Sequence, residues 1–234
     1  MILQVDDIHT YYGESLALQG LSFDIRQGET VCLLGRNGAG KSTTLKSIIG
    51  LTPPRRGSIR FNGKEIAGSP AHRIARHGIG YVPEDRRIFP GLTVRENLQV
   101  AEYRRKGESP AWTVERVFDE YSMLAELAEQ DGATLSGGQQ QMLTVARSLM
   151  IQPKLLLLDE PNEGLAPVIV QQIGRLIDDL AQDTTIVFTD QSVHFALKHA
   201  GRAFILEKGK VVHEASSEAL RNDPETQDRY LSVA

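Results

Sequence analysis

A single cysteine in 234 residues rules out a disulfide within the chain. Cys32 lies in the apolar run Thr30-Val31-Cys32-Leu33-Leu34, where it reads as a small buried hydrophobe in a reducing compartment. No window approaches the roughly 18 apolar residues that a membrane span needs. The start of the chain, Met1-Ile2-Leu3-Gln4-Val5-Asp6-Asp7, also lacks the basic flank and apolar stretch of a secretion signal. Basic charge is not concentrated anywhere. Net charge is −4, and Arg55, Arg56, Arg73, Arg76, Arg104 and Arg105 are scattered rather than aligned into a stripe that could neutralise many phosphates, so nucleic acid is not an expected partner. Internal repeats and low-complexity tracts are missing too. The polar stretch from Glu102 to Thr113, with Gly107 and Pro110, predicts a surface connection. Within it Arg104-Arg105-Lys106 reads as a solvated face and Trp112 as a core anchor.

What is present is a pattern of short apolar runs. Ile2 to Val5 and Leu21 to Ile25 alternate, as half-buried antiparallel strands do. Thr30 to Leu34, Leu155 to Leu158 and Thr184 to Thr189 are continuous, which suits strands buried on both faces in a parallel sheet. Helical patterns run from Lys41 to Gly50, Gln139 to Ile151 and Pro167 to Gln182. Strands alternating with helices predict an α/β core. The last residues, from Ser217, are polar with apolar Leu220, Tyr230 and Leu231, and are expected to cover the core.

Three motifs carry chemistry. Gly35-Arg36-Asn37-Gly38-Ala39-Gly40-Lys41-Ser42-Thr43 follows an apolar strand and opens a helix, the setting of a phosphate-binding P-loop. Glycines let backbone N–H groups approach phosphate oxygens, and the helix dipole favours the anion. Lys41 is expected on the β- and γ-phosphates, and Ser42 on Mg²⁺. Leu155 to Leu158 then end in Asp159-Glu160, two carboxylates at the edge of a buried strand, where ligands of open α/β sheets gather. Asp159 is expected in the Mg²⁺ shell, and Glu160 beside the water that attacks the γ-phosphate. The third motif, Leu135-Ser136-Gly137-Gly138-Gln139, opens a helix with a hydroxyl and two glycines and reads as a second anion site.

In this order and spacing the three motifs resemble the nucleotide-binding subunit of ATP-binding-cassette (ABC) transporters along essentially the whole chain. The resemblance implies a P-loop NTPase (RecA-like) α/β core with an N-terminal antiparallel β subdomain and an inserted α-helical subdomain. Residues 1–84 and 152–234 would form the core, and 85–151 the helical subdomain carrying the signature motif. It further implies a head-to-tail dimer, in which Ser136, Gly137, Gly138 and Gln139 of one copy complete the ATP site built around Lys41 of the other. Tyr12, just after the first strand, matches the aromatic that stacks on adenine. Tyr11 is the alternative, and Tyr12 also reads as an amphipathic surface aromatic.

The chain departs from the family pattern at several positions. Glu84, in Tyr81-Val82-Pro83-Glu84, stands where most members have glutamine, and could ligate Mg²⁺ or hold a water. Gln191 replaces the switch histidine, and can hydrogen-bond a γ-phosphate without taking up positive charge. His194, roughly one turn further on, reads as a surface or partner contact. Ala166 replaces an aspartate. With Asn162-Glu163-Gly164-Leu165-Ala166-Pro167, these features resemble the second ATPase subunit of branched-chain amino-acid importers and their urea or amide relatives. That branch implies a homodimer, or a heterodimer with a related ATPase. It also implies integral membrane permeases, a solute-binding protein acting through them, and a place on the cytoplasmic face of the plasma membrane. Ile88-Phe89-Pro90 reads either as a groove for a cytoplasmic helix of the permease or as packing inside the helical subdomain. Other classes within the wider family are a soluble ABC ATPase and a degenerate ATP sensor. The short spacing from Lys41 to Ser136 and the lone cysteine argue against the first, and the intact Lys41, Ser42, Ser136, Asp159 and Glu160 against the second.

Overall fold

The computed structural model describes residues 1–103 and 110–230. In chain order the first elements are β1 (Leu3–Tyr12), β2 (Ser15–Ile25), β3 (Thr30–Leu34), α1 (Lys41–Ile48), β4 (Arg56–Phe61) and β5 (Lys64–Glu65). Next come α2 (Ala71–Arg76), β6 (Ile79–Val82), α3 (Val94–Ala101), α4 (Val114–Glu120), α5 (Ser122–Glu126) and α6 (Gly137–Leu149). The chain then returns through β7 (Leu155–Leu158), α7 (Pro167–Leu180), β8 (Thr185–Asp190), α8 (Val193–His199), β9 (Arg202–Glu207) and β10 (Lys210–Ser216). It closes with α9 (Ser217–Arg221) and α10 (Pro224–Tyr230).

Two sheets result. The alternating N-terminal strands pair antiparallel in the order β2-β1-β4-β5. The continuous apolar runs enter a six-stranded sheet, β10-β9-β3-β8-β7-β6, parallel except for β10. Their apolar continuity follows from burial on both faces. Val31 and Leu33 of β3, Leu155 and Leu157 of β7 and Val187 of β8 join the core shared with β1, β2, β4 and α1. Cys32, Leu34, Leu156, Leu158, Ile186 and Phe188 point the other way, into the core built with α3 to α9. Period-two alternation thus sends successive side chains of one strand into different cores.

The expected α/β architecture and antiparallel N-terminal sheet are present, with shifted boundaries. The first strand runs on to Tyr12 rather than ending before it, and the predicted helix from Gln139 starts two residues earlier. Trp112 is half-buried against the second core, stacked on Tyr121 at 6.4 Å and covered by Arg116 at 4.2 Å. Leu220 is buried and Tyr230 packs on the same core, as expected of a tail that covers it. The Arg104-Arg105-Lys106 run and Leu231 lie outside the described residues. Among those described, no helix is long and apolar enough to cross a membrane.

Candidate functional site

The topology gathers four adjacent strand ends. In the order β3, β8, β7, β6, each parallel strand finishes on the same edge, leading into the P-loop, Gln191, Asp159-Glu160 and Glu84 respectively. Ligands of open α/β sheets bind at such carboxyl ends. A cavity of ≈ 570 Å³ opens there, lined by Asn37, Gly38, Ala39, Gly40, Lys41, Ser42 and Thr43 together with Glu84 and Glu160. Its other walls are Ser15, Leu16, Ala17, Gln19, Glu163 and Lys208, none of which the sequence had marked as a site. Gly40 caps α1 at φ 107, a left-handed conformation that glycine adopts readily, and no side chain of the cap takes up the first N–H groups of the helix.

Lys41 is buried, at 4 % exposure, and its ammonium is fully engaged. Nζ donates to the carbonyl of Gly35 at 2.8 Å and to that of Arg36 at 3.4 Å, and pairs with Glu160 Oε1 at 3.0 Å. Three donors meet three acceptors. Gln191 Nε2 donates to the other oxygen, Glu160 Oε2, at 3.0 Å, so both carboxylate oxygens of Glu160 are held. Burial alone would raise its pKa, but hydrogen bonds from Glu163, Gln191 and Lys41, with the charge of Lys41, keep it below the ordinary carboxylate range. Glu163 pays for that arrangement. Sharing a proton with Glu160, partial burial and the negative charges of Glu160 and Glu84 push it up to about 7. Glu160 also holds φ 42, a left-handed backbone uncommon outside glycine, which stores on the order of 1–3 kcal/mol of strain at the site.

Asp159 lies beneath the cavity, 1 % exposed. Tyr81 Oη donates to its Oδ2 at 3.1 Å and Thr189 Oγ1 to its Oδ1 at 3.0 Å, while Glu160 N donates to the same Thr189 hydroxyl at 2.8 Å. One threonine of β8 therefore registers both acidic residues of the β7 end. Tyr81, Thr189 and Glu163 are functional neighbours missed by sequence reading. Tyr81 sits in a strand too short to signal itself.

Not every expected residue reaches the cavity. Tyr12 ends β1 at 49 % exposure and is not among the lining residues, although its strand partner Ser15 is. Tyr11 lies under the Arg55 guanidinium at 4.5 Å. Ser136, Gly137, Gly138 and Gln139 do not line it either. Ser136 instead caps α6: its hydroxyl accepts from Gln139 N at 3.4 Å, and Gln139 Oε1 accepts from Ser136 N at 2.8 Å. His194 is exposed. Ile88 packs on the helical core, while Phe89 is exposed beneath the Arg147 guanidinium at 4.6 Å. Beside them a mainly apolar groove of ≈ 350 Å³ runs between Leu51, His72 and Ala75 on one side and Arg147, Ser148 and Ile151 on the other.

The family model described as ABC transporter matches residues 18–163. The branched-chain amino acid transport ATP-binding protein BraG of Pseudomonas aeruginosa is 43% identical over 98% of this chain and 99% of its own. The lipopolysaccharide export system ATP-binding protein LptB of Acidithiobacillus ferridurans is 35% identical over 98% and 96%. A dimeric post-hydrolysis ATP-binding cassette, MJ0796, bound to ADP and Pi, superposes with a TM-score of 0.79 at 26% identity, covering 92% of this chain and 98% of that one. A family model that matches well over half of the chain, and relatives at 43% and 35% identity along nearly all of it, show that the chain belongs to the ABC transporter family.

Proposed function

We propose that this chain is the ATP-hydrolysing subunit of an importer for branched-chain amino acids. The observation that carries the reading is the joining of Lys41, Ser42, Glu84 and Glu160 in one cavity, from which the signature turn is set apart. The cargo follows the 43% identity to BraG, with urea and short amides as the alternatives within the branch.

In this reading the triphosphate lies along the N–H groups of residues 37–43. A phosphate oxygen on Lys41 competes with Glu160 for the same ammonium proton, and so frees the Glu160 carboxylate to accept from a water. Such base catalysis contributes about 10²- to 10⁴-fold. Gln191 keeps Glu160 aimed but carries no charge, so the transition state lacks the cation that a histidine would supply. The residues also fit Mg²⁺, a hard ion that keeps several waters and takes one or two carboxylates with phosphate oxygens. Ser42 supplies a hydroxyl, and Asp159 and Glu84 supply carboxylates whose lone pairs are not all taken. Among the described residues there is no group of three His, Cys, Asp or Glu that could hold a metal without phosphate. When bound, the ion neutralises charge on the phosphates.

A second copy, or a related ATPase, closes the site with Ser136, Gly137, Gly138 and Gln139 of its own, whose helix start suits a phosphate anion. Tyr12, exposed at the end of β1, is the aromatic assigned to the adenine. Residues 85–151 form a helical subdomain inserted into the core of 1–84 and 152–234. The groove beside Arg147 receives a cytoplasmic helix of the permease, which places the subunit on the inner face of the membrane and links it indirectly to a solute-binding protein. The test is copurification from native membranes, followed by ATPase assay with branched-chain amino acids, urea and short amides. Stimulation by leucine, isoleucine or valine is expected. Glu160→Gln should trap an ATP-bound dimer, and a monomeric variant with normal turnover would refute the scheme.

A further inference from the structure

Arg86 makes a junction that the hydrolytic scheme leaves unused. It lies two residues past Glu84 with φ 59, and its carbonyl accepts the Thr144 hydroxyl, while the next carbonyl, of Arg87, accepts Arg147 Nη2 at 2.5 Å. Thr144 and Arg147 are three apart on α6, hence on one face, so the loop is pinned to the signature helix by its backbone. The Arg86 side chain then reaches in two directions. Nη2 donates to the carbonyl of Glu163 at 3.4 Å, and Nη1 occupies the space beside Gly137, 2.5 Å from where a Cβ on that residue would be. A Cβ on Gly137 would have to displace the end of the Arg86 side chain, so the guanidinium lies directly against the signature turn. A cation over a helix N-terminus opposes the helix dipole, so helix stability does not explain its placement.

We propose that Arg86 is a positioning residue that ties the signature turn of this chain to the segment following its own Glu160, so that loading of one nucleotide site sets the turn offered to the other. The inference rests on the two-copy reading of the function. Glu163 lines the nucleotide cavity and Gly137 does not, yet one guanidinium touches both. Two nitrogens held in a rigid plane can span the two segments, whereas the single ammonium of lysine cannot.

The experiment is hydrogen exchange on the full chain, kept below the concentration at which copies associate, with and without AMP-PNP and Mg²⁺. In the wild type nucleotide is expected to slow exchange at 161–165 and at 136–140 together, as linked sites must. In Arg86→Ala the response at 136–140 disappears while nucleotide affinity stays within about twofold. Arg86→Lys, which keeps the charge, behaves like Arg86→Ala. A response at 136–140 that persists in Arg86→Ala, returns in Arg86→Lys, or is missing from the wild type overturns the proposal. If Arg86→Ala does not fold, Arg86→Met takes its place, and an undiminished response there overturns it equally. Failure of the two-copy reading shows separately, as a Glu160→Gln protein that stays monomeric with ATP while the exchange response of its own signature turn is intact.

Discussion

The β7 end and the start of α6 both suit a phosphate, yet they are built in opposite ways. At the β7 end Asp159, Glu160 and Lys41 are buried, and their contacts run to Tyr81, Thr189, Gln191 and the P-loop carbonyls. At α6 the signature turn satisfies itself through the Ser136–Gln139 box and lies away from the cavity. A site with desolvated charges must be organised by its own chain, because unpaired buried charge is costly. A capped helix start exposed at the surface can wait for a ligand delivered by another copy. The difference teaches that the buried charged centre depends on distant parts of its own chain, whereas the signature turn is held by its own local cap.

The largest effect that separates the two regions should come from Lys41→Ala. It leaves Glu160 buried without its cation and removes the triphosphate contact of the proposed function, so nucleotide binding should fall by at least about 100-fold, which is roughly 2.7 kcal/mol, and the protein should lose about 3–5 kcal/mol of stability. Isothermal titration with AMP-PNP and urea unfolding check both. A variant that binds normally would dissolve the contrast. Ser136→Ala should behave otherwise. Loss of the cap costs about 1 kcal/mol of stability, and single-copy nucleotide affinity is unchanged, while ATP-driven dimer formation in a Glu160→Gln background drops about tenfold or more, as for a lost charge-assisted hydrogen bond. Analytical ultracentrifugation reads the dimer. Equal loss of monomer binding would mean that the turn serves its own chain.

Much of this was legible because phosphate chemistry constrains sequence locally. The P-loop needs glycine at fixed spacing, and the strands around it need unbroken apolar runs, so β3, β7 and β8 with the helices α1, α6 and α7 could be read within a few residues, whereas α8 was not. The short strand β6 could not. Ile79-Gly80-Tyr81-Val82 has no period to detect, and a Cβ at Gly80 would press closely on Leu156 Cδ1 at 3.0 Å, a tertiary fact. β9 hid for a similar reason, since its register against β3 is set by distant residues. Glu163 and Arg86 escaped because both depend on left-handed backbone at non-glycine positions, φ 42 at Glu160 and φ 59 at Arg86, which no residue type announces. Gln191 was legible as a substitution but not as a donor to Glu160, because hydrogen-bond direction is decided by the fold.

The smallest effect, and the finest probe of the comparison, is a proton. Glu163 titrates near 7 in the folded chain because it shares a proton with Glu160, whereas an unfolded glutamate releases it near the ordinary value of 4.5. Between those values the folded state therefore holds more proton than the unfolded state, so this residue makes stability fall as pH rises through the window, with the full penalty present above about 7. Glu163→Gln removes the penalty, and its gain over wild type should grow from pH 5 to about 7 and then level off, modestly because Glu163 is mostly solvent-exposed and screened. Turnover should track the same group. A protonated Glu163 donates to Glu160 and competes with the attacking water, so wild-type kcat should climb as the proton leaves near 7. The glutamine amide donates at every pH, so Glu163→Gln should be slower and flat through that range. A rise of equal steepness in the variant would move the titration elsewhere in the site. The signature turn offers a control from the other region: Ser136→Ala carries no titrating group, so it should lower the rate without changing the shape of the profile.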